Sequence, residues 1–571
     1  MSRSLGALAA LILMLVPSVL AADAAPASPE ALRKLASNYY RWRNEQYPVA
    51  SSDQGLHTRD DRLTDWSADA VKARREHVAA LLAQLQALKT GGWAKDDRID
   101  AVLFRSQIEG AVLFDRFLSF HETNPLTYVE ECSNAIFSLL KKDYAPAKSR
   151  ALAAAARLEK MPALLREGRR NLTRPVALYA RLAIESARAM DGLFKDSLMT
   201  LAGELSPAEH ERLVKARDEA LAALRFFADS LEKDLPKMVA FAPMGEANYN
   251  ELLRKAYLLP IDAKELAMLG EAELARSRGL EALLPDPSMA DPDPLRAASI
   301  PKDQDAFLKG YESRQAEMIR FLEAKRLVTL PASLGAFRIR QLPEAFKPTS
   351  PGGFMNPPGR YDADNGGFYF IPTYDPKSRN FYIRAAIEDP RPILGHEGIP
   401  GHFLQLSISK GVASEIRREQ EDGVFVEGWA LYGEEMLMRQ GLYAEGSAGQ
   451  GQVLRLARYR AARIGADVNL HTGRWAFDQA VTYFMEAGGL DREAAEGEAA
   501  GAAADPTQKI TYMTGKWQIM QLLGKWRQKK GAAFRLGEFH DVLLANGSLP
   551  LSVVEWILFD DASSLEKALK R

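Results

Sequence analysis

Apolar residues recur along most of this chain with the period of an α-helix. Val78, Leu81, Leu82, Leu85 and Leu88 fall at i, i+3, i+4, i+7 and i+10, along one helical face. Residues 149–165 and 206–231 carry the same pattern. The second stretch opens on Ser206-Pro207-Ala208-Glu209, with an N-cap serine, proline at the first helical position and glutamate at the third. Ala, Leu, Arg and Glu dominate from about residue 30 to 330 with no tandem repeat of fixed period. Beyond residue 385 the periodicity predicts helices over roughly 390–412, 422–440, 449–486, 509–530 and 552–569.

Two stretches break the pattern. Residues 280–302 are rich in Pro and Asp and predict a loop between helical blocks. Residues 331–376 are dense in Pro and Gly but contain Gly366-Gly367-Phe368-Tyr369-Phe370-Ile371-Pro372, a short aromatic run bounded by breakers. This run predicts an edge strand whose unpaired amides receive an extended peptide; a hairpin strand with only a packing role is the alternative. The fold class is therefore mainly α and large, with one small β-sheet.

The first residues change the picture of where the protein resides. Arg3 precedes an apolar stretch from Leu5 to Leu20, and Val19-Leu20-Ala21 offers small residues for cleavage, so residues 1–21 read as a signal peptide. The apolar stretch is shorter than the roughly 20 residues a spanning helix needs, so no stable membrane insertion is expected after cleavage. No cysteine follows it to carry a lipid, and the expected location is periplasmic or secreted. Cys132 is the only cysteine, which excludes an intrachain disulfide. With no basic neighbour to lower its pKa, it reads as a small buried apolar side chain. Lys plus Arg (74) nearly balance Asp plus Glu (75), so nothing suggests a nucleic-acid partner.

The candidate chemistry is concentrated in His396-Glu397-Gly398-Ile399-Pro400-Gly401-His402, followed by Glu427 in Val-Glu-Gly-Trp-Ala-Leu-Tyr. Two imidazoles, an adjacent carboxylate and a later glutamate are the parts of a catalytic zinc site: three N/O ligands, an open position and a base for the bound water. Asp389-Pro390 reads as an N-cap and first helical residue. On a straight helix, histidines six residues apart would point about 240° apart and lie about 9 Å apart along the axis. Pro400 lacks an N–H and its ring clashes with the carbonyl of His396, and Gly401 is permissive. A kinked helix would bring the imidazoles together, whereas a helix that ends and restarts would leave them apart. On the following helix Glu434 lies at i+7 from Glu427, pointing within about 20° of it, and is the candidate partner for a ligating histidine; Glu435 points about 80° away. Trp429 and Leu431 are expected to face the core.

His-Glu-x-x-Pro-Gly-His followed by Glu-Gly-Trp-Ala-Leu-Tyr-x-Glu resembles the bacterial family called domain of unknown function 885, grouped with gluzincin metallopeptidases. Related sequences often read His-His after Pro-Gly, and here Phe403 follows His402. The resemblance implies one Zn2+ held by His396, His402 and Glu427, Glu397 as general base, and a metallopeptidase-like helical fold with a deep cleft. Two further segments match the family pattern. Arg463, Asp467 and His471 form a stripe at i, i+4 and i+8. His471 is then a candidate donor to the tetrahedral intermediate, and Arg463 a candidate to hold a substrate carboxylate or brace Asp467. A surface ion pair beside an exposed histidine is the plainer alternative. In Pro506-x-Gln508-x-x-x-Tyr512-x-x-Gly515-Lys516, Tyr512 is a candidate phenol donor to an oxyanion, against a plain helical tyrosine. His57, His77, His121, His210 and His540 have no ligand-like neighbours and are expected at the surface or at caps.

The expected organisation is a signal peptide (1–21), a helical N-terminal region forming cleft walls (22–330) and a catalytic zinc-binding region (331–571). The expected activity is zinc-dependent hydrolysis of short peptides. Two rivals are a zinc hydrolase of non-peptide amides or esters, and a non-catalytic peptide-binding protein. The second leaves the retention of all four of His396, Glu397, His402 and Glu427 without a chemical reason.

Overall fold

The computed structural model describes residues 28–284, 301–347, 350, 352–378 and 380–570. The expected signal peptide and most of the Pro/Asp-rich stretch lie outside these residues. The chain is 70% helical with one three-stranded sheet, a mainly α fold. Among the described residues no helix is long and apolar enough to cross a membrane.

Local sequence signals account for many helix boundaries. Ser206 and Glu209 form the reciprocal capping box that starts the helix Pro207–Asp234. The stretch read as one helix over 149–165 is two, Ala147–Leu158 and Met161–Asn171. Pro162 sits in the first turn of the second helix, where its missing N–H costs nothing; in the interior of a continuous helix it would remove a hydrogen bond. The Cys132 thiol lies in the core of this helical lobe with Ile136, Leu158, Leu224 and Phe227, and burial pushes its pKa up.

A second and larger core begins with Leu32, Tyr40 and Phe104, continues through Tyr249, Tyr311 and Leu322, and ends among Phe425, Trp429, Leu437, Ile519 and Val553. It crosses residue 330 without interruption, so the boundary expected there does not separate two cores. In the N-terminal half, the helix Ala263–Ala282 packs against Ala448–His471 and the helix Gln304–Lys325 against Arg391–Glu397, whereas residues 126–231 supply most of the separate core around Cys132.

The sheet has the order β1 (Phe337–Gln341), β3 (Gly367–Ile371), β2 (Phe354–Asn356). β1 runs parallel to β3, pairing Phe337 with Gly367, and β2 runs antiparallel, pairing Phe354 with Phe370. The aromatic run expected at an edge is thus the central strand. Its amides are already engaged on both sides, so it cannot take an added peptide strand. The period-2 alternation gives its faces separate tasks. Phe368 and Phe370 join Phe137, Phe346 and Phe354 in an aromatic cluster, while Tyr369 and Ile371 enter the large core behind the histidines.

Five helices of the C-terminal half carry the site: α1 (Arg391–Glu397), α2 (His402–Lys410), α3 (Gly423–Arg439), α4 (Ala448–His471) and α5 (Thr511–Lys530). The helix expected over 449–486 stops at His471 because Gly473 turns the chain at φ +77°, the left-handed position that ends many helices. α3 and α5 meet backbone to backbone: a Cβ on Gly428 would sit 2.4 Å from Gly515 Cα, and one on Gly515 would sit 1.8 Å from the Val424 carbonyl oxygen. Only glycines permit that approach, and it brings Glu427 and Tyr512 into one neighbourhood.

Candidate metal centre

The spacing problem between the histidines is solved by a break. Asp389 accepts a hydrogen bond from the Arg391 amide at 3.0 Å, and α1 starts at Arg391 with Pro392 in its first turn, one residue later than expected. α1 ends at Glu397 and α2 begins at His402, so no kinked continuous helix forms. The imidazoles nevertheless meet, with ring centroids 4.7 Å apart and planes at 80°. The connecting loop, in which the Ile399–Pro400 peptide is cis, folds back over the end of α1. It passes so close that a Cβ on Gly401 would lie 1.8 Å from the His396 carbonyl oxygen. The fully buried Trp429 fixes the loop from α3, its indole N–H donating to the Pro400 carbonyl at 2.8 Å.

Glu427 reaches this pair from α3, whose start is capped by Asp422 accepting from the Phe425 amide at 2.8 Å. Glu427 Oε2 lies 3.3 Å from His396 Nε2 and 3.2 Å from His402 Nε2. Ligands about 2.0–2.1 Å from a tetrahedral zinc stand roughly 3.3–3.4 Å apart, so these spacings match a shared ion. Glu427 Oε2 is buried and has no hydrogen-bond partner, an arrangement costly for a carboxylate unless a cation satisfies it. Among the described residues, these three side chains are the set whose ligand atoms converge within 4.8 Å. The field is also cation-seeking. Burial and Arg460 push the His396 imidazole down, but Glu427 and Glu434 outweigh them and raise it to about 9. Burial would raise the Glu427 carboxyl, yet His402 and His396 hold it well below the usual range. Two imidazole nitrogens and one carboxylate oxygen are a donor set that could hold a divalent ion such as zinc.

A second layer fixes the first. Glu434, at 0% exposure, binds His396 Nδ1 at 2.8 Å, which places a proton on Nδ1 and leaves Nε2 facing Glu427 and His402. Glu435 points elsewhere, pairing with Arg276 and Lys516. Glu397 closes α1 directly after the first histidine; burial raises its carboxyl, while the charges of His396 and His402 pull it back. The Tyr512 ring stacks on His396 at 6.0 Å, and its hydroxyl accepts from the Gln508 amide at 3.0 Å. Burial, then the charge of Glu427, raises the phenol, so it stays a neutral donor.

The stripe on α4 has a different task from the one expected. Arg463 braces Glu498, not Asp467, at 2.9 Å, and its guanidinium lies 4.6 Å over the Tyr512 ring. Asp467 accepts from Tyr249, Thr507 and Lys509, anchoring the loop that leads into α5. His471 is buried with Nε2 2.8 Å from the Ala502 carbonyl, about 16 Å along α4 from Arg460, and is removed from the metal ligands. Helical periodicity correctly placed the three on one face, but that face packs against the helix Arg492–Ala504 and the following loop. Arg460, which sequence reasoning passed over, is the α4 residue that reaches the centre, through Glu434 at 3.2 Å. His540 is another correction: it is fully buried, between Tyr432 and the Leu327 carbonyl.

A cavity of 780 Å³ lined by Tyr39, Trp42, Trp66, Phe114 and Arg360 extends to Asp505, but none of the three converging ligands lines it.

Two solved structures share this fold across nearly the whole chain. One is described as "a putative lipoprotein of unknown function" from Shewanella oneidensis, with TM-score 0.71 and 21% identity, covering 93% of this chain and 100% of its own. The other, "the putative lipoprotein" from Colwellia psychrerythraea, has TM-score 0.73 and 18% identity, covering 95% and 100%. No curated protein matches the chain. Residues 48–558 match the profile described as bacterial protein of unknown function (DUF885), and the chain belongs to that family.

Proposed function

We propose that this protein is an exported zinc-dependent peptidase acting on short peptides. The observation that carries the reading is the convergence of His396 Nε2 and His402 Nε2 on an otherwise unpartnered Glu427 Oε2, with Glu397 beside them and Glu434 behind. The ligands are mostly buried, which favours a slender chain over a folded protein as substrate. The signal-peptide pattern and the lipoprotein descriptions of both structural neighbours support export.

His396, His402 and Glu427 would hold the ion. A divalent ion there supplies Lewis acidity, polarising the scissile carbonyl and lowering the pKa of water toward about 7. Glu397 accepts the proton of the attacking water and passes it to the leaving amine, a task suited to a carboxyl raised by burial. Tyr512 donates a hydrogen bond from its hydroxyl to the carbonyl oxygen as negative charge develops there. Glu434 keeps the His396 proton on Nδ1 throughout.

Glu397→Gln tests the assignment with a peptide library. The variant is expected to keep stoichiometric zinc and lose hydrolysis. Retained turnover would remove Glu397 from its role, and a panel of non-peptide amides and esters run in parallel separates a peptidase from another zinc hydrolase.

A further inference from the structure

We infer that Arg460 is a positioning residue of the metal centre, acting through Glu434; the inference rests on the zinc-site reading above. Arg460 is buried at 4% exposure, and its guanidinium has Nη2 3.2 Å from Glu434 Oε1 and Nη1 3.5 Å from Glu434 Oε2. Glu434 Oε1 is the same atom that binds His396 Nδ1 at 2.8 Å. One carboxylate is therefore held from behind by a two-nitrogen fork and holds the ligating imidazole in front. A carboxylate with no solvent exposure and only one partner would be costly to keep ionised. The arginine fixes both its charge and its plane.

The Arg460 guanidinium also lies 5.6 Å over the ring of Tyr512, as that of Arg463 does at 4.6 Å; of the two, Arg460 is the one paired with Glu434. Its charge is also not spent elsewhere: Nε has no hydrogen-bond partner, whereas Arg463, one turn on, is engaged with Glu498 and Tyr459. With neutral imidazoles, the carboxylates of Glu397, Glu427 and Glu434 and the guanidinium of Arg460 sum to two negative charges, the complement of one divalent ion.

A double-mutant cycle on zinc affinity tests the inference, with the Kd of the full chain read by chelator competition. Arg460→Met and Glu434→Gln are each expected to weaken zinc binding by about 10- to 100-fold, the usual cost of losing an outer partner of a ligand. The double variant should be no weaker than the worse single one, because both remove the same support. Arg460→Lys keeps the charge but not the planar fork, so it should also weaken binding, with the melting temperature of the metal-free protein unchanged. Losses that multiply in the double variant, or wild-type affinity in Arg460→Lys, would overturn the assignment. A wild-type chain that takes up no zinc would overturn the metal-centre reading and this inference together, whereas multiplied losses with intact wild-type binding overturn this inference alone.

Discussion

Replacing Gly401 with alanine perturbs the break that unites the two imidazoles. The added Cβ would lie 1.8 Å from the His396 carbonyl oxygen and 2.5 Å from that of Gly395, where real Cβ atoms keep at least 3.0 Å. The closest contact falls short by 1.2 Å. Neither oxygen is the tip of a flexible side chain, so the loop or the end of α1 must open by that amount. Metal sites tolerate about 0.2 Å of error in ligand distance, several times less than the displacement required. Zinc affinity should therefore fall by at least the roughly 10- to 100-fold expected for disturbing a ligand's support. Helices distant from the loop keep their packing, so the metal-free protein should remain folded. Isothermal titration with zinc, alongside circular dichroism of the metal-free protein, measures both quantities. Wild-type zinc affinity in Gly401→Ala would refute the claim that the close loop approach sets the ligand geometry.

Other outcomes follow from named groups. Tyr512→Phe is expected to lower kcat by about 100- to 1000-fold with zinc content unchanged, the usual loss for one oxyanion donor; unchanged kcat would return Tyr512 to a packing role. Burial lowers the His540 imidazole to about 4, against the Leu327 carbonyl, which raises it. The unfolded chain thus binds the extra proton from about pH 6.5 downward, and stability present above that pH is lost as it falls toward 4, by up to about 3 kcal/mol. Urea unfolding of wild type and His540→Gln from pH 4 to 8 should show this term only in wild type; equal pH slopes would contradict it. Cys132, with its thiol raised by burial, should react with a thiol reagent only after unfolding, and rapid labelling of the native protein would contradict its place in the core.

Much of the centre is legible in the sequence because metal ligation needs particular residue types. His396, His402 and Glu427 are recognisable by chemistry, and Glu434 by its position two turns along the same helix face. The loop closure is not legible in that way. It depends on the Trp429 indole reaching a carbonyl 29 residues away and on a close approach that only Gly401 allows. The α4 stripe shows a related limit: periodicity placed Arg463, Asp467 and His471 on one face, but not what that face packs against. Arg460 was hidden among Arg455, Arg458 and Arg463, and only the position of Glu434 singles it out. In the sheet, the aromatic run announced a strand, while its central position depends on β1 and β2, whose short segments carry weaker patterns.

Anomalous diffraction from zinc-loaded crystals, recorded at the zinc absorption edge, tests the central claim most directly. The account predicts one strong peak bonded to His396 Nε2, His402 Nε2 and a Glu427 oxygen, with His396 Nδ1 still bound to Glu434. A zinc-soaked crystal with no peak between those three atoms, or with its zinc on other residues, would contradict it.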